Sequence, residues 1–340
     1  MQDRKLCFND ILLVPQYSEL DSRTTPNIST CLGGKLKLGI PIISSPMDSV
    51  TGAEMAVTLD RLGGLGIISR NIGLSEDEEI KKQTSEIIHA KHQNTKNIGC
   101  AMGIKGDINW NAQKLLDVGC NVLCLDVAHG DHKMMYKAID ILVDIKCSDT
   151  YDFIIMAGNV CTRDAATKFA MHGVDAIKVG IGPGAACTTR IITGHGYPQL
   201  SAILETHQAI KTTNRSTSII VDGGLRTGGD MVKSLFAGAD ACMIGYMLAG
   251  TNRTPLIDGK RVYRGMSSRN ASGRPDIAPE GIEIETGYRG ETENVVLNSA
   301  KEIKSGLAMS GAHNIKELRE KGQYVMVSSL SMEETMPRET

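Results

Sequence analysis

The feature that most constrains this chain is a repeat of short apolar segments, each followed by a stretch in which apolar residues recur at helical spacing. The apolar segments occupy 40–45, 65–69, 98–102, 122–126, 153–157, 176–180, 218–222 and 241–245, and the helical stretches include 111–118, 164–172, 201–211 and 229–238. Near-continuous apolar strands that alternate with amphipathic helices are typical of a parallel sheet covered by helices. Eight such units predict an α/β fold, a closed (β/α)8 TIM barrel. An open doubly wound sheet is the alternative, because strand count alone does not prove closure.

Polar or glycine-rich residues follow nearly every predicted strand. These runs lie at 45–48, 70–71, 126–130, 158–159, 182–184, 222–224 and 245–246. In a parallel barrel the carboxyl ends of all strands meet at one rim, where active sites are built. We therefore expect the functional site at this rim.

The composition is that of an ordinary globular protein. Of the 340 residues, 41% are hydrophobic and 22% are charged, with a formal net charge of −2. That charge argues against binding to a nucleic-acid backbone, which requires a basic face. No apolar run approaches the roughly 18 residues that span a bilayer, and the N-terminus leads into no secretory segment. We expect a cytoplasmic protein without membrane or nucleic-acid partners.

Two regions fall outside the barrel pattern. Residues 1 to about 35 form a polar lead-in, and residues from about 251 to 295 are glycine-rich and charged, with little periodicity. A long loop within a compact domain is usually functional and is often a lid. We call residues 251–295 the flap, and we expect it to be mobile and to belong to a single barrel domain that spans residues 1–340.

Most of the nine cysteines are expected to be structural. They are odd in number and have no CxxC spacing, so neither a disulfide framework nor a zinc site is expected. Cys100, Cys124 and Cys242 lie inside apolar segments, where a small thiol is usually buried. Trp110 and the methionines are likewise expected to be packing residues.

Cys187 has different surroundings. It lies at the tip of a glycine-rich loop that follows a predicted strand, beside Thr188, Thr189 and Arg190. A partly exposed thiol in a polar, electropositive setting favours the thiolate, which is the nucleophilic form. We predict that Cys187 is a nucleophile; the alternative is a buried loop cysteine.

Two further motifs follow the seventh and eighth predicted strands. Asp222-Gly223-Gly224 and Gly245 lie where barrels commonly bind phosphate through backbone N–H groups, and a carboxylate at Asp222 suits ribose hydroxyls. Together they favour a nucleotide, whereas either alone is equally a tight turn. His129 and His132 lack a third ligand at suitable spacing, so we expect loop histidines rather than a metal site.

Taken in order, these motifs resemble the IMP dehydrogenase and GMP reductase family. The resemblance rests on residues 44–48, 158–160, 180–190, 222–224, 265–268, 279–281 and 287–290, and it covers nearly the whole chain. It implies that Cys187 attacks C2 of a purine 5′-monophosphate, with Thr189 and Glu280 as the proton-transfer pair. The implied substrate contacts are Asp222 with the ribose, Gly224, Gly245 and Tyr288 with the phosphate, Tyr246 beside it, and Ser45, Met47, Met266 and Ser267 around the base.

The resemblance also implies a nicotinamide cofactor across the barrel mouth. Asp126 and Asn159 correspond to the nicotinamide side, and Ser268 and Arg269 are assigned to the same cofactor. The carbonyl groups of three residues are implied to form a potassium site, namely Gly182, Gly184 and Cys187. The family also implies a homotetramer that acts in purine nucleotide metabolism and salvage.

The two branches of the family differ in the flap and in an inserted domain pair. The dehydrogenases usually contain CBS domains after the second barrel strand, for which the passage 70–98 is too short. Their flap contains an Arg-Tyr pair that activates water, whereas residues 267–279 contain no tyrosine. The sequence therefore favours GMP reductase, which uses NADPH to convert GMP to IMP and ammonia through a covalent Cys187 thioimidate.

Two alternatives remain open. Residues 44–48 and 279–281 look more like the dehydrogenases, so an IMP dehydrogenase without CBS domains is the first. The second is a non-catalytic purine-nucleotide-binding homologue, against which the retention of Cys187, Thr189 and Glu280 argues. The chain also has Ala185 where the family often has a phosphate-contacting serine, and Tyr246 where it has a small residue. These departures affect the phosphate end, and a 2′-deoxy substrate stays open.

Overall fold

The computed structural model describes residues 4–70, 74–272, 276, 278–328 and 331. Its strands are β1 (Ile11–Val14), β2 (Thr30–Leu32), β3 (Leu36–Leu38), β4 (Ile42–Ser44), β5 (Leu65–Ile68), β6 (Ile98–Met102), β7 (Val122–Asp126), β8 (Ile154–Val160), β9 (Ala176–Val179), β10 (Ser218–Asp222), β11 (Ala241–Ile244), β12 (Val262–Arg264), β13 (Glu283–Glu285) and β14 (Gln323–Met326). Its helices are α1 (Ala53–Arg61), α2 (Glu76–His92), α3 (Ile108–Asp117), α4 (Lys133–Cys147), α5 (Arg163–Met171), α6 (Thr189–Thr193), α7 (Gln199–Lys211), α8 (Gly228–Ala237), α9 (Arg269–Ser272), α10 (Thr292–Met309) and α11 (Ile315–Lys321).

Strands β4 to β11 form a closed parallel barrel, which confirms the predicted fold class. Each strand pairs with the next along the chain, and β11 pairs back onto β4, with Cys242 opposite Ile42. The predicted strands and the observed strands differ by only a few residues at their ends. The open-sheet alternative is excluded by the β11–β4 pairing.

The barrel strands are apolar on both faces because they separate two hydrophobic clusters. In β10, Ile220 belongs to the cluster inside the barrel, whereas its neighbours Ile219 and Val221 pack outward against the helices. Leu32 and Leu38, from β2 and β3, also belong to the inner cluster. The β2–β3 hairpin therefore closes the amino-terminal end of the barrel, so the predicted lead-in contributes to the core.

Helix α2 was not among the predicted helices because its surface is strongly charged. Ser75 and Glu78 form a capping box at its start, and four acidic residues occupy its first turn. Its inner face buries Gln83, whose amide donates to the carbonyls of Ser69 and Ala101 at 3.0 and 2.8 Å. The helix thus covers the barrel partly through polar contacts that an apolar repeat does not show.

The two ends of the described chain meet in a separate antiparallel pair, in which Ile11 lies opposite Met326. In the flap, β12 and β13 form a second antiparallel pair, and α9 follows β12. The flap bounds require a correction, because residues 292–295 are already the first turn of α10. Residues 273–275 and 277 of the flap lie outside the described residues.

Trp110 also requires a correction, because it is not a core residue. Its side chain on α3 is 37% exposed, and the Lys114 ammonium lies 5.8 Å from its ring centre. By contrast, Cys100, Cys124 and Cys242 are fully buried, as expected. Among the described residues, no helix is long and apolar enough to cross a membrane.

Candidate active site

A cavity of about 790 Å³ opens at the carboxyl ends of the barrel strands. Its volume suits a small-molecule site. The residues that line it include most of those assigned from the sequence, namely Ser45, Met47, Asp126, Asn159, Gly182, Gly184, Cys187, Thr189, Asp222, Gly224, Gly245, Tyr246, Met266, Ser267 and Glu280. With Arg70, which follows β5 and also lines the cavity, the structure brings residues from seven barrel-strand ends and the flap to one rim.

A chain of hydrogen bonds leads from the Cys187 thiol to a carboxylate. The half-buried Cys187 Sγ donates to Thr189 Oγ1 at 3.2 Å, and Thr189 Oγ1 donates to Glu280 Oε2 at 2.7 Å. The flap is held to this loop by its backbone, since the N–H of Thr188 donates to the carbonyl of Glu280 at 2.9 Å. The arrangement gives the thiol proton a path to Glu280, which is what an activated nucleophile requires.

Other cysteines of the barrel lie in surroundings that oppose ionisation. Burial raises the pKa of Cys120 to about 12 and raises the pKa values of Cys100, Cys124 and Cys242 further above the usual range. A thiolate is costly in an apolar interior because it loses its hydration. Cys187 therefore differs from these thiols in both access and hydrogen bonding.

Lys178 forms the charged floor of the cavity, a role that was not assigned from the sequence. Its side chain is 1% exposed, and its ammonium contacts Asp126 and lies 3.2 Å from Asp222 Oδ2. Burial lowers the pKa of Lys178, but Asp126 and Asp222 outweigh that effect and raise it above its usual value. The lysine thus stays charged and holds both carboxylates at the cavity. In the sequence, Lys178 can be recognised only as a single charged residue within an otherwise apolar strand.

Backbone donors line the part of the cavity formed by Gly224, Gly245 and Tyr246, which we call the phosphate end. No hydrogen bond among the described residues uses the backbone N–H groups of these three residues. Gly224 has φ of +80°, a left-handed conformation that favours glycine. Free N–H groups in such turns form an anion-binding concavity.

Tyr263 also lines this end, although the sequence analysis did not assign it. It is 5% exposed, and its hydroxyl lies 3.0 Å from the position that a Cβ on Gly245 would occupy. Tyr288, which the resemblance assigned to the phosphate, lies outside the cavity lining. It is 62% exposed, and its hydroxyl donates to Glu291 at 2.7 Å.

The two flap residues assigned to the cofactor also lie outside the cavity lining. Ser268 is buried, and its hydroxyl oxygen accepts from the backbone N–H of Ala271 at 3.3 Å. Arg269 is exposed at the start of α9. Their assignment to a cofactor stays a prediction.

Two observations bear on whether bound groups fit here. Asn159 donates to Asp222 at 2.9 Å and to the Gly180 carbonyl at 2.8 Å, but its buried Oδ1 has no partner and can accept from a carboxamide. The carbonyls of Gly182 and Cys187 accept no hydrogen bond among the described residues, and that of Gly184 accepts one from the Cys187 N–H at 3.0 Å. The residues present therefore fit a nicotinamide and a monovalent cation.

An ion pair fixes the base of the flap to the barrel. Arg264 Nε lies 3.1 Å from Asp48 Oδ1, and both side chains are only 14% exposed. The N–H of Asp48 donates to Met266 Sδ at 3.4 Å. These contacts hold Met47 and Met266, the residues assigned to the base, on neighbouring loops.

Comparisons with known proteins agree with this geometry. The family model for the IMP dehydrogenase / GMP reductase domain matches residues 5–338. The chain is 36% identical to an inosine-5′-monophosphate dehydrogenase of Cryptosporidium parvum, with 97% of this chain and 94% of that protein covered. Proteins of the same name from Borreliella burgdorferi and Nitrosopumilus maritimus are 31% and 29% identical, and at least 96% of each chain is covered. The chain therefore belongs to the IMP dehydrogenase / GMP reductase family of oxidoreductases.

Proposed function

We propose that the protein oxidises IMP to XMP at C2 with a nicotinamide cofactor. The observation that supports covalent chemistry at C2 most directly is the hydrogen-bond chain from Cys187 through Thr189 to Glu280, at 3.2 and 2.7 Å, beside the free N–H groups of the phosphate end. The relatives compared above are all named inosine-5′-monophosphate dehydrogenase. They favour the dehydrogenase over the reductase that the sequence alone favoured.

The cavity orients a purine 5′-monophosphate by its two ends. The free N–H groups of Gly224, Gly245 and Tyr246 would hold the phosphate, and Asp222 would accept from the ribose hydroxyls. With the phosphate held there, the base extends toward Met47 and Met266, and its C2 faces Cys187.

The chemistry of this chain's residues begins with proton transfer. Cys187 Sγ bonds to C2 while its proton passes through the Thr189 hydroxyl to Glu280. A bound nicotinamide supplies the hydride acceptor for oxidation, or the hydride donor for reduction. Once hydride has left C2 and Glu280 has released the thiol proton to solvent, water adds to C2. Thr189 and Glu280 take the proton of that water and return it to Sγ as the bond between carbon and Sγ breaks to release XMP.

GMP reductase is the second candidate, because residues 267–279 contain no tyrosine that could activate water. In that direction Glu280 and Thr189 return a proton to the leaving amine, and ammonia departs as Cys187 bonds to C2. The hydrogen-bond chain from Cys187 through Thr189 to Glu280 can serve both reactions. The reaction therefore depends on whether water or hydride reaches C2 after the covalent step.

The cofactor and assembly follow from this proposal. Asp126 and Asn159 line the cavity at the carboxyl ends of β7 and β8, where the nicotinamide would bind, with NAD⁺ for the dehydrogenase or NADPH for the reductase. Potassium at the carbonyls of Gly182, Gly184 and Cys187 would hold the Cys187 loop. We expect a homotetramer, which light scattering during size-exclusion chromatography measures.

The test is absorbance at the reduced-nicotinamide band, with the products separated by chromatography. Purified protein with IMP and NAD⁺ should show rising absorbance and accumulate XMP. Falling absorbance with GMP and NADPH, together with IMP and ammonia, would instead establish the reductase. Tight binding of IMP without turnover in either mixture would favour the non-catalytic homologue.

A further inference from the structure

Tyr246 forms a wall at the phosphate end. Its ring lines the cavity and is 41% exposed, and it packs edge to face against Tyr263, with ring centres 5.3 Å apart. Its hydroxyl forms no hydrogen bond among the described residues, so that donor is free for a ligand. A small residue at this position would leave the phosphate end open.

Arg289 is held against the same ring from the flap. Its guanidinium carbon lies 4.9 Å from the ring centre of Tyr246, and its Nη1 donates to the Tyr246 carbonyl at 3.0 Å. Its own backbone N–H donates to the Gly250 carbonyl at 2.8 Å, which fixes the start of the side chain. No carboxylate among the described residues forms an ion pair with Arg289, so its charge is not neutralised by the protein.

The other cations around the cavity differ in this respect. Lys178 is shared between two carboxylates, and Arg70 Nε is paired with Glu79 at 3.0 Å. Arg226 lines the cavity and, within the described part of the chain, also lacks an ion-pair partner. At the facing loop, Ala185 offers no hydroxyl. A dianionic phosphate at this end therefore meets neutral N–H donors and tyrosine hydroxyls, and it lacks a direct counter-charge unless an unpaired arginine supplies one.

We propose that Tyr246 and Arg289 act as one recognition unit for the 5′-phosphate. This rests on the proposed binding of a purine 5′-monophosphate. The Tyr246 hydroxyl donates to the phosphate, and the Arg289 guanidinium supplies the compensating positive charge from behind the ring.

The same wall sets the length of the pocket. The ring of Tyr246 is fixed between Tyr263 and Arg289, so it does not turn aside without losing both contacts. A nucleotide with a second phosphate would have to displace the ring. The unit therefore selects a monophosphate over both the nucleoside, which has no charge to recognise, and the diphosphate, which does not fit.

The experiment compares dissociation constants for IMP, inosine and IDP by calorimetry at two salt concentrations. Tyr246→Phe and Arg289→Met should each weaken IMP binding about tenfold and change inosine binding less than about twofold. Arg289→Lys should restore part of the loss, and Arg289→Met should reduce the salt dependence of IMP binding. Tyr246→Ser should admit IDP. Lys260→Met, which removes an exposed positive charge near β12, is the matched control and should leave all three constants unchanged.

The outcomes separate this inference from the proposed function. If the wild-type protein prefers IMP over inosine and the Tyr246 and Arg289 variants retain the full preference, the recognition unit is wrong while the proposed function stands. If the wild-type protein shows no preference for IMP over inosine, both fail. A loss that affects IMP and inosine equally would mean that these residues only support the fold, and it would also overturn the inference.

Discussion

At the residue scale, Cys187 is set apart by what surrounds its sulfur. Its thiol donates to Thr189, which in turn donates to Glu280, whereas Cys100 and Cys124 lie fully buried in the barrel wall. The sequence predicted this difference because the glycine loop at 180–184 indicates an accessible turn. The hydrogen bond between the Thr189 hydroxyl and the Glu280 carboxylate joins residues 91 positions apart along the chain. From the sequence, the pairing of these two residues follows only from the family resemblance.

Replacing Cys187 tests the nucleophile. Cys187→Ala should lower kcat by at least about 10³-fold, because Cys187 is the one cysteine among the described residues that line the cavity. IMP binding measured by calorimetry should change little, since the phosphate end and Asp222 remain. Cys147→Ala, at an exposed cysteine on α4, is the control and should retain full activity. Appreciable turnover by Cys187→Ala would exclude the covalent route.

The structure and the sequence assign different tyrosines to the phosphate end: Tyr263 from the structure and Tyr288 from the family resemblance. Tyr263→Phe removes a hydroxyl that lines the cavity and should weaken IMP binding about fivefold to tenfold. Tyr288→Phe removes a hydroxyl that donates to Glu291 and should have the smaller effect. A larger loss of IMP affinity in Tyr288→Phe would favour the assignment made from the resemblance.

The reason for this difference is local pairing. Tyr263 and Tyr288 both lie in the glycine-rich flap, and spacing along the chain does not show which of them turns toward the barrel. Tyr263 lies on β12, opposite Ile284 of β13, and this pairing directs its ring into the cavity. The pairing is a tertiary feature, so the residue pattern did not predict it.

At the scale of elements, the flap is attached to the barrel through the β12–β13 pair. Arg264 at the end of β12 contacts Asp48 in the loop after β4, and its Nη1 also lies 3.6 Å from Glu283 on β13. A second pair, Lys260 with Glu285, lies at the other end of the same two strands and is 64% and 65% exposed. The two ion pairs therefore differ in burial, although each lies at one end of the β12–β13 pair.

Removing each pair measures how the flap is held. Arg264→Met should destabilise the protein by about 2 kcal/mol, because it leaves the largely buried Asp48 without its charge-assisted partner. It should also raise KM for IMP and increase hydrogen exchange at 262–264, since Met266 loses its support. Lys260→Met should cost under about 1 kcal/mol, as exposed pairs do. Equal effects from both variants would show that the Asp48 contact does not anchor the flap.

The predicted elements were most accurate where a local pattern determines them. The strands at 98–102, 122–126 and 218–222 coincide with β6, β7 and β10, because apolar runs buried on both faces are continuous in sequence. Strand β1, at 11–14, is also apolar, but its pairing with β14 joins residues more than three hundred positions apart. No local signal predicts such a pairing.

At the scale of the whole molecule, the residues that fill the barrel and the residues that line the candidate site occupy different parts of the fold. Its interior is filled by an apolar cluster, closed below by Leu32 and Leu38, while the polar residues gather at the opposite rim. The predicted alternation of strands and helices was sufficient for this architecture, and the β11–β4 pairing supplied closure. The single-domain assignment and the homotetramer stay predictions.

Acid should destabilise the barrel through His207 on α7. Burial lowers the pKa of His207, and with the nearby positive charges of Lys211 and Arg319 it brings the pKa from 6.5 to about 4. The unfolded chain therefore binds a proton below pH 6.5 that the folded chain resists until about pH 4. The contribution of His207 is thus fully present above pH 6.5 and is lost as the pH falls through this window.

The expected size of this effect, discounted for solvent screening, is about 1–2 kcal/mol. Thermal unfolding followed by circular dichroism between pH 7 and pH 4 measures it as a fall in Tm. His207→Gln should flatten the fall, whereas His92→Gln, at an exposed histidine at the end of α2, should not. Identical pH profiles for the wild-type protein and His207→Gln would contradict the assignment.

The most direct test of the central claim is mass spectrometry of the protein quenched in acid during turnover with IMP and NAD⁺. The account predicts that the peptide containing Cys187 gains the mass of IMP less two hydrogen atoms, and that the adduct is absent without NAD⁺. Turnover with Cys187 unmodified, or an adduct on a different cysteine, would contradict the account.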